Sequence, residues 1–341
     1  MGQLVFLDEF RKKNEEEVTD LIKWEEPKSN SLYKELSYKS PVKTHYDLLR
    51  LKSFIKENID FEVKDLFVPN CYNGDPIWYI DYENACLNNA YEPYAVMLAV
   101  IRDYVTDFME IVDGFYIKDE EAFEEVRDQF NILFQRLKSS GGSGFEGKAS
   151  VDEFIRLGSL FFVLQSCTLQ SIPLETDPWR TFLNGWDGRT KKISLNKEIF
   201  FQSKRLQNSA LTTLGLSEVF FRYINKTKED SLWFFNIEDF EDREDCEFGF
   251  EDLFDLLESK VSLVSNRGGK IFICMPASDE LQEYMLNTFG FAEIEEDLWE
   301  SKTLRAHLNK GVYYYGSDID DMKKYICFTN YKKTFKGVEL V

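Results

Sequence analysis

Enzymatic chemistry draws on nucleophiles, metal ligands, acid–base pairs or phosphate-cradling loops, and this chain of 341 residues offers few of them in a working pattern. Histidine occurs only at His45 and His307, and neither stands in a motif suited to a Ser/His/Asp or Cys/His arrangement. Six cysteines (Cys71, Cys86, Cys167, Cys246, Cys274 and Cys327) are scattered without a Cys-x-x-Cys pair. That spacing supports neither a zinc site nor a disulfide framework, so a reduced intracellular compartment and no metal are expected. Gly142–Lys148 (GSGFEGK) matches both Gly-rich phosphate-loop patterns, with Ala149 where a magnesium-binding hydroxyl would stand. Either motif needs a preceding strand, so that backbone amides and a helix N-terminus converge on phosphate. Here the preceding segment, Phe123–Leu137, has a helical period, and the expectation is a linker in which Ser150 or Asp152 caps the next helix.

A second set of residues gains meaning from its order along the chain. Tyr38-Lys39-Ser40-Pro41-Val42-Lys43 precedes a Leu-rich helical pattern, and Phe67–Trp78 reads FVPNCYNGDPIW. Then come LNNAYEPYAVMLAVIRD at 87–103, VRDQFN at 126–131 and FLNGWDGRTKKISLN at 182–196. A strand pattern, LWFF, leads into Asn236-Ile237-Glu238-Asp239-Phe240, and KKYICFTNY closes the series at 323–331.

In this order the segments resemble the Dam-type adenine-specific DNA methyltransferases, over roughly residues 37–335. The resemblance implies a Rossmann-like methyltransferase sheet of the α/β class with an inserted helical target-recognition-like domain. It implies cofactor contacts at Lys43, Pro69, Gly74 and Asn89, the cofactor being S-adenosylmethionine. It implies a catalytic centre at Asn236, with Phe240 stacking on a flipped base, and nucleic-acid contacts at Asn184, Arg189, Lys191 and Lys192. Arg127, Phe130 and Asn131 fit the family's Arg-x-x-Phe-Asn, and Asn88 fits its Leu-Asn-Asp segment.

The departures fall on the chemistry. Both glycines are missing from the first segment, and Asn70, Tyr72 and Asn73 bring side chains to a loop whose task is close backbone approach. Asn89 replaces an aspartate, and Ile237 and Glu238 replace two prolines. The matches fall mostly on positions that build the fold.

The elements that would hold these residues follow from periodicity. A charged helical extension is expected over 1–36 and a helical period over Tyr46–Ile59. Strands are expected at Asp65–Val68 and Ile77–Ile80, and helices over Ala90–Phe115, Phe123–Leu137 and Val151–Ser166. The region 170–230 reads as a loop-rich helical insert. Ser231–Asn236 is a buried strand by its unbroken apolar run. Phe250–Ser262 (helix), Lys270–Met275 (strand), Asp279–Phe289 (helix) and a strand pair ending at Tyr325–Asn330 complete the chain. The expected division is an extension at 1–36, a methyltransferase-like α/β domain at 37–102 and 231–341, and an inserted helical domain at 103–230.

Composition bears on partners. The chain is 43% hydrophobic with 30 Phe and 17 Tyr, enough for a substantial core. No apolar run approaches the ~20 residues of a membrane span, and the N-terminus turns polar too early for a signal peptide. The net charge of −20 opposes a phosphate backbone. Between Glu238 and Asp252, nine carboxylates face one cation, Arg243. Lys191, Lys192, Lys197, Lys204 and Arg205 offer a local basic group in the insert.

The expectation is a cytoplasmic, catalytically degenerate methyltransferase-fold protein acting as a scaffold or interaction subunit, in the host cytoplasm or a virion if viral. It would have protein partners, no membrane and no cofactor. The alternative is an active, divergent adenine methyltransferase that uses S-adenosylmethionine and contacts DNA through the insert. A third reading is an acidic module that binds a basic partner or mimics nucleic acid.

Overall fold

The structure is a computed structural model that describes residues 41, 55–56, 58–69, 76–89, 92–139, 150–168, 182, 185–193, 198–236, 260–276, 309–315 and 323–331. The chain divides into two compact units: Met1–His45 with Leu87–Pro173 and Asp177–Leu214, and Tyr46–Cys86 with Leu174–Thr176 and Gly215–Val341.

The first unit is mainly helical. α1 (Glu92–Asp103) and α2 (Val105–Asp113) are followed by α3 (Glu120–Ser139), α4 (Val151–Ser166) and α5 (Glu198–Leu206). The helix expected over Ala90–Phe115 is thus two helices, broken at Tyr104, whose backbone leaves the helical region at φ −135° and ψ 39°. Apart from Arg156, α4 is buried from Phe154 to Gln165 and packs against α1, α2 and α3, as a central helix must. Gly158 permits its approach to α1: a Cβ there would stand 3.1 Å from the Met97 Cα.

Ser150 starts α4 with a complete capping box, in which its hydroxyl accepts from Glu153 N–H and the Glu153 carboxylate accepts from Ser150 N–H. Helix α3, not a strand, precedes the Gly-rich stretch, which itself lies outside the described residues. The context a phosphate loop requires is therefore missing. A two-stranded ribbon joins β3 (Tyr116–Ile117) to β4 (Lys191–Lys192) in antiparallel register.

The second unit is built on an α/β sheet. Its strands are β1 (Val63–Val68), β2 (Tyr82–Asn88), β6 (Ser231–Asn236), β7 (Lys270–Pro276), β8 (Asn309–Tyr315) and β9 (Lys323–Thr329). They lie in the order β2-β1-β6-β7-β9-β8. β5 (Ser209–Thr212) is the neighbour of β2, whose last two residues, Leu87 and Asn88, belong with β5 to the first unit. β1 pairs with β6 and β6 with β7 in parallel, whereas β9 runs antiparallel to both β7 and β8. The sheet is mostly parallel and flanked by helices, which is compatible with Rossmann-like winding.

α6 (Leu216–Tyr223) enters this unit because Phe220 stacks on Trp233 of β6 at 4.7 Å between ring centroids. Trp233 also stacks on Phe67 of β1, and its indole N–H donates to the Thr227 hydroxyl at 2.9 Å. Phe234, on the opposite face by the strand period, stacks on Phe272 of β7.

Two expectations change here. Ile77–Ile80 does not form a strand: Pro76–Trp78 is a 3-10 turn in which the Pro76 carbonyl accepts from the N–H groups of Tyr79 and Ile80. Proline supplies no N–H to a ladder, and its fixed φ favours the turn. β2 and β5 arise where no strand was expected. Residues 260–266 are helical, overlapping the expected Phe250–Ser262 helix at 260–262 and running past its expected end, while 250–259 lie outside the described residues. The expected helices at 1–36 and Asp279–Phe289 lie outside the described residues. Among the described residues no helix is long and apolar enough to cross a membrane.

Candidate functional site

In a doubly wound sheet the ligand crevice lies outside the carboxyl ends of the strands, where the winding reverses. Here β2 lies on one side of β1 and β6 on the other, so the reversal falls between β1 and β6. Their register pairs Asp65 with Ser231 and Phe67 with Trp233. β1 ends at Val68, and buried Pro69 follows it. β6 ends at Asn236, whose backbone is in register with Cys274 of β7. Pro69 and Asn236 thus occupy the ends of adjacent strands. Gly74, Phe240 and Lys43 lie outside the described residues, as does Asn184.

The chain re-enters the described region at the Pro76–Trp78 turn, which is wholly buried. The Trp78 indole N–H there has no hydrogen-bond partner, a cost of about 1–3 kcal/mol for a donor removed from water. No sequence signal pointed to this tryptophan.

Asn89 follows β2 and is 4% exposed, and its N–H donates to the Thr212 carbonyl at 3.0 Å. In dinucleotide-binding sheets, an acid about 20 residues past the first loop accepts from the ribose hydroxyls. The exit of β2 carries the carboxamides of Asn88 and Asn89 instead, and the buried Glu92 carboxylate beyond them is ion-paired to Lys138 at 2.5 Å. These residues do not fit a ribose in that manner.

Asn88 is spent on the fold. Its Oδ1 accepts from the Thr212 hydroxyl at 2.7 Å and Leu214 N–H at 2.8 Å, while its Nδ2 donates to the Leu214 carbonyl at 2.9 Å. Asn131 behaves alike. Its side chain bonds both backbone groups of Phe182, fixing the start of the FLNG segment beside Phe130 and Phe161. Asn330 repeats the pattern at the other end of the chain. It accepts from Ile271 N–H at 2.9 Å and donates to the Gly269 carbonyl and the Ser265 hydroxyl. Arg102 is buried against Asp103 at 2.7 Å and donates to the Ser209 carbonyl at 2.6 Å, tying α1 to β5.

The expected nucleic-acid residues divide by what they touch. The Lys191 ammonium donates to the Asp187 carboxylate at 2.5 Å and to the Ser166 carbonyl at 2.6 Å, so it is committed to holding the turn before β4. The Arg189 backbone N–H donates to Asp187 Oδ1 at 3.0 Å, and its side chain is exposed. Lys192 is exposed and stands opposite Tyr116, itself 58% exposed, on the ribbon. The ribbon's charge is mixed, because Lys118 pairs with Asp119 and Glu120 and Glu121 follow directly.

The sequence matches no protein-family model and no curated protein.

Proposed function

We propose that the chain is a catalytically degenerate protein of the Dam-type methyltransferase fold that works as a scaffold or interaction subunit. Three asparagines that match the family's motifs carry this reading. Asn88, Asn131 and Asn330 each direct a side chain onto backbone far away in sequence. What the chain shares with the family is thus the apparatus that holds the fold together. The winding is in keeping with the same reading: β1, β6 and β7 run parallel in a mostly parallel sheet flanked by helices, compatible with the Rossmann-like sheet that the resemblance implies.

Against that frame, the chemical positions have changed. Asn89 stands where a carboxylate belongs, and Ile237 and Glu238 follow Asn236 in place of two prolines. The carboxylates between Glu238 and Asp252 would repel a phosphate backbone brought to the end of β6 and suit a basic partner protein.

The active reading keeps one specific support, since Asn236 does end the strand beside the winding reversal. Calorimetric titration with S-adenosylmethionine to millimolar concentration, paired with a methyl-transfer assay on adenine-containing DNA, separates the two. The degenerate protein gives no binding heat and no transfer. Saturable binding with transfer abolished by Asn236→Ala would establish the active enzyme instead.

A further inference from the structure

The antiparallel pairing of β7 and β9 sets Cys274 directly opposite Cys327. Fifty-odd residues separate them in the chain, so no sequence spacing announces the pair. Opposed residues in an antiparallel ladder share a face of the sheet. Their distance depends on whether the pair is hydrogen-bonded, and the ladder's phase can be read from its end. Ile271 N–H donates to the side chain of Asn330, the residue that follows β9, and so faces β9. Alternation then makes Ile273 and Met275 the residues that hydrogen-bond to β9, and Phe272, Cys274 and Pro276 those that do not. Pro276 agrees independently, because it has no N–H to give and belongs in the second class.

Cys274 and Cys327 therefore form a non-hydrogen-bonded pair, for which the Cα separation is about 4.5 Å. A disulfide requires Cα atoms roughly 4.4–6.8 Å apart. On the far side of β9, Cys327 stands opposite Gly311 of β8, and on the near side Cys274 is in register with Asn236. One lateral row across the sheet reads Asn236, Cys274, Cys327, Gly311.

From this juxtaposition we propose that Cys274 and Cys327 are a redox-active pair, oxidised by small-molecule disulfides to a cross-strand disulfide one strand away from Asn236. One cysteine thiolate attacks the disulfide, forming a mixed disulfide and releasing one small thiol. The second thiolate then attacks the protein sulfur of that mixed disulfide, closing the Cys274–Cys327 bond and releasing the other thiol. Two protein thiols are oxidised and one small disulfide is reduced to two thiols. Cys86 and Cys167, both buried, serve as internal controls. The proposal does not depend on whether the old cofactor site is alive.

The test incubates the full chain with glutathione disulfide, alkylates the remaining thiols and maps tryptic peptides by mass spectrometry. The expected product is a monomer carrying a peptide cross-linked through Cys274 and Cys327, released by dithiothreitol, with no retained glutathione. Recovery of either cysteine only as the alkylated or glutathionylated form overturns the proposal. Met275→Cys in a Cys274→Ala background shifts the thiol by one register position, to the other face. That variant should not cross-link to Cys327, and cross-linking as complete as in the parent would equally overturn the register argument.

Discussion

Asn131 brackets the backbone of Phe182: its Oδ1 accepts from the Phe182 N–H at 2.8 Å, and its Nδ2 reaches the Phe182 carbonyl at 3.5 Å. A carboxamide placed this way acts as one rung of a β-ladder between a helix and an irregular segment. The Phe182 ring lies edge-on to Phe130 and Phe161, so the hydrogen bonds and the aromatic packing secure the same point. Asn131→Leu should cost roughly 1–3 kcal/mol, because it leaves a part-buried N–H without an acceptor. Hydrogen exchange at the Phe182 amide would rise sharply, while exchange across β6 and β7 would stay at parental rates.

The Gly268-Gly269 turn before β7 admits no side chain at its second position. A Cβ on Gly269 would overlap the Thr227 methyl and stand 2.9 Å from Val264 Cγ1. Gly269→Ala should destabilise by about 1–3 kcal/mol or more. Thr227→Ser removes the obstructing methyl yet keeps the hydroxyl that accepts from Trp233. Combined with Gly269→Ala, it should recover the part of the loss due to that methyl, the Val264 contact remaining, and a double-mutant cycle in urea unfolding measures the coupling directly.

Lys191 and Lys192 are neighbours with different duties. Lys191→Ala removes the cation paired with the Asp187 carboxylate, whose side chain is fully buried and keeps the Arg189 N–H, and should cost on the order of 3 kcal/mol. Lys192→Ala touches an exposed position and should change stability by less than about 0.5 kcal/mol. Thermal unfolding of the two variants side by side checks the contrast. Equal effects would remove the structural role assigned to Lys191.

Tyr104, at the break between α1 and α2, has its phenol pushed up to about 12 by burial and then by the neighbouring charges of Asp103 and Asp107. A folded-state value above the ordinary one means that the folded chain holds this proton more tightly than the unfolded chain does. The resulting stability is complete below the ordinary phenol range, near pH 10, and is lost as pH rises toward 12. Unfolding followed between pH 9 and pH 12 should show this loss, and Tyr104→Phe should flatten it.

Some of this architecture is plain in the sequence. α4 and β6 occupy the spans that their patterns predict, because α4 is strongly apolar behind a polar first turn and β6 is a continuous apolar run closed by polar residues. β2 is not legible, since its first half, Tyr82-Glu83-Asn84, is polar and solvent-facing. Its neighbour β5, Ser-Ala-Leu-Thr, comes more than a hundred residues later in the chain and has no alternation of its own. The same holds for the site. Motif order places Pro69 and Asn236 at strand ends, where they stand. The Trp78 N–H without a partner and the opposition of Cys274 to Cys327 depend on packing and register, which no local pattern encodes.

The reversed course of β9 also decides which rim of the sheet Tyr331 marks. Thr329 lies beside Phe272, near the beginning of β7, whereas Asn236 lies beside Cys274, near its end. Tyr331 donates to the Asn58 carbonyl at 3.2 Å, ahead of β1. Tyr331 therefore stands at the rim of the sheet from which β1 starts, opposite the rim where β6 ends at Asn236. A spectroscopic probe placed at Tyr331 thus reports on the rim where β1 begins and is silent about the rim where β6 ends.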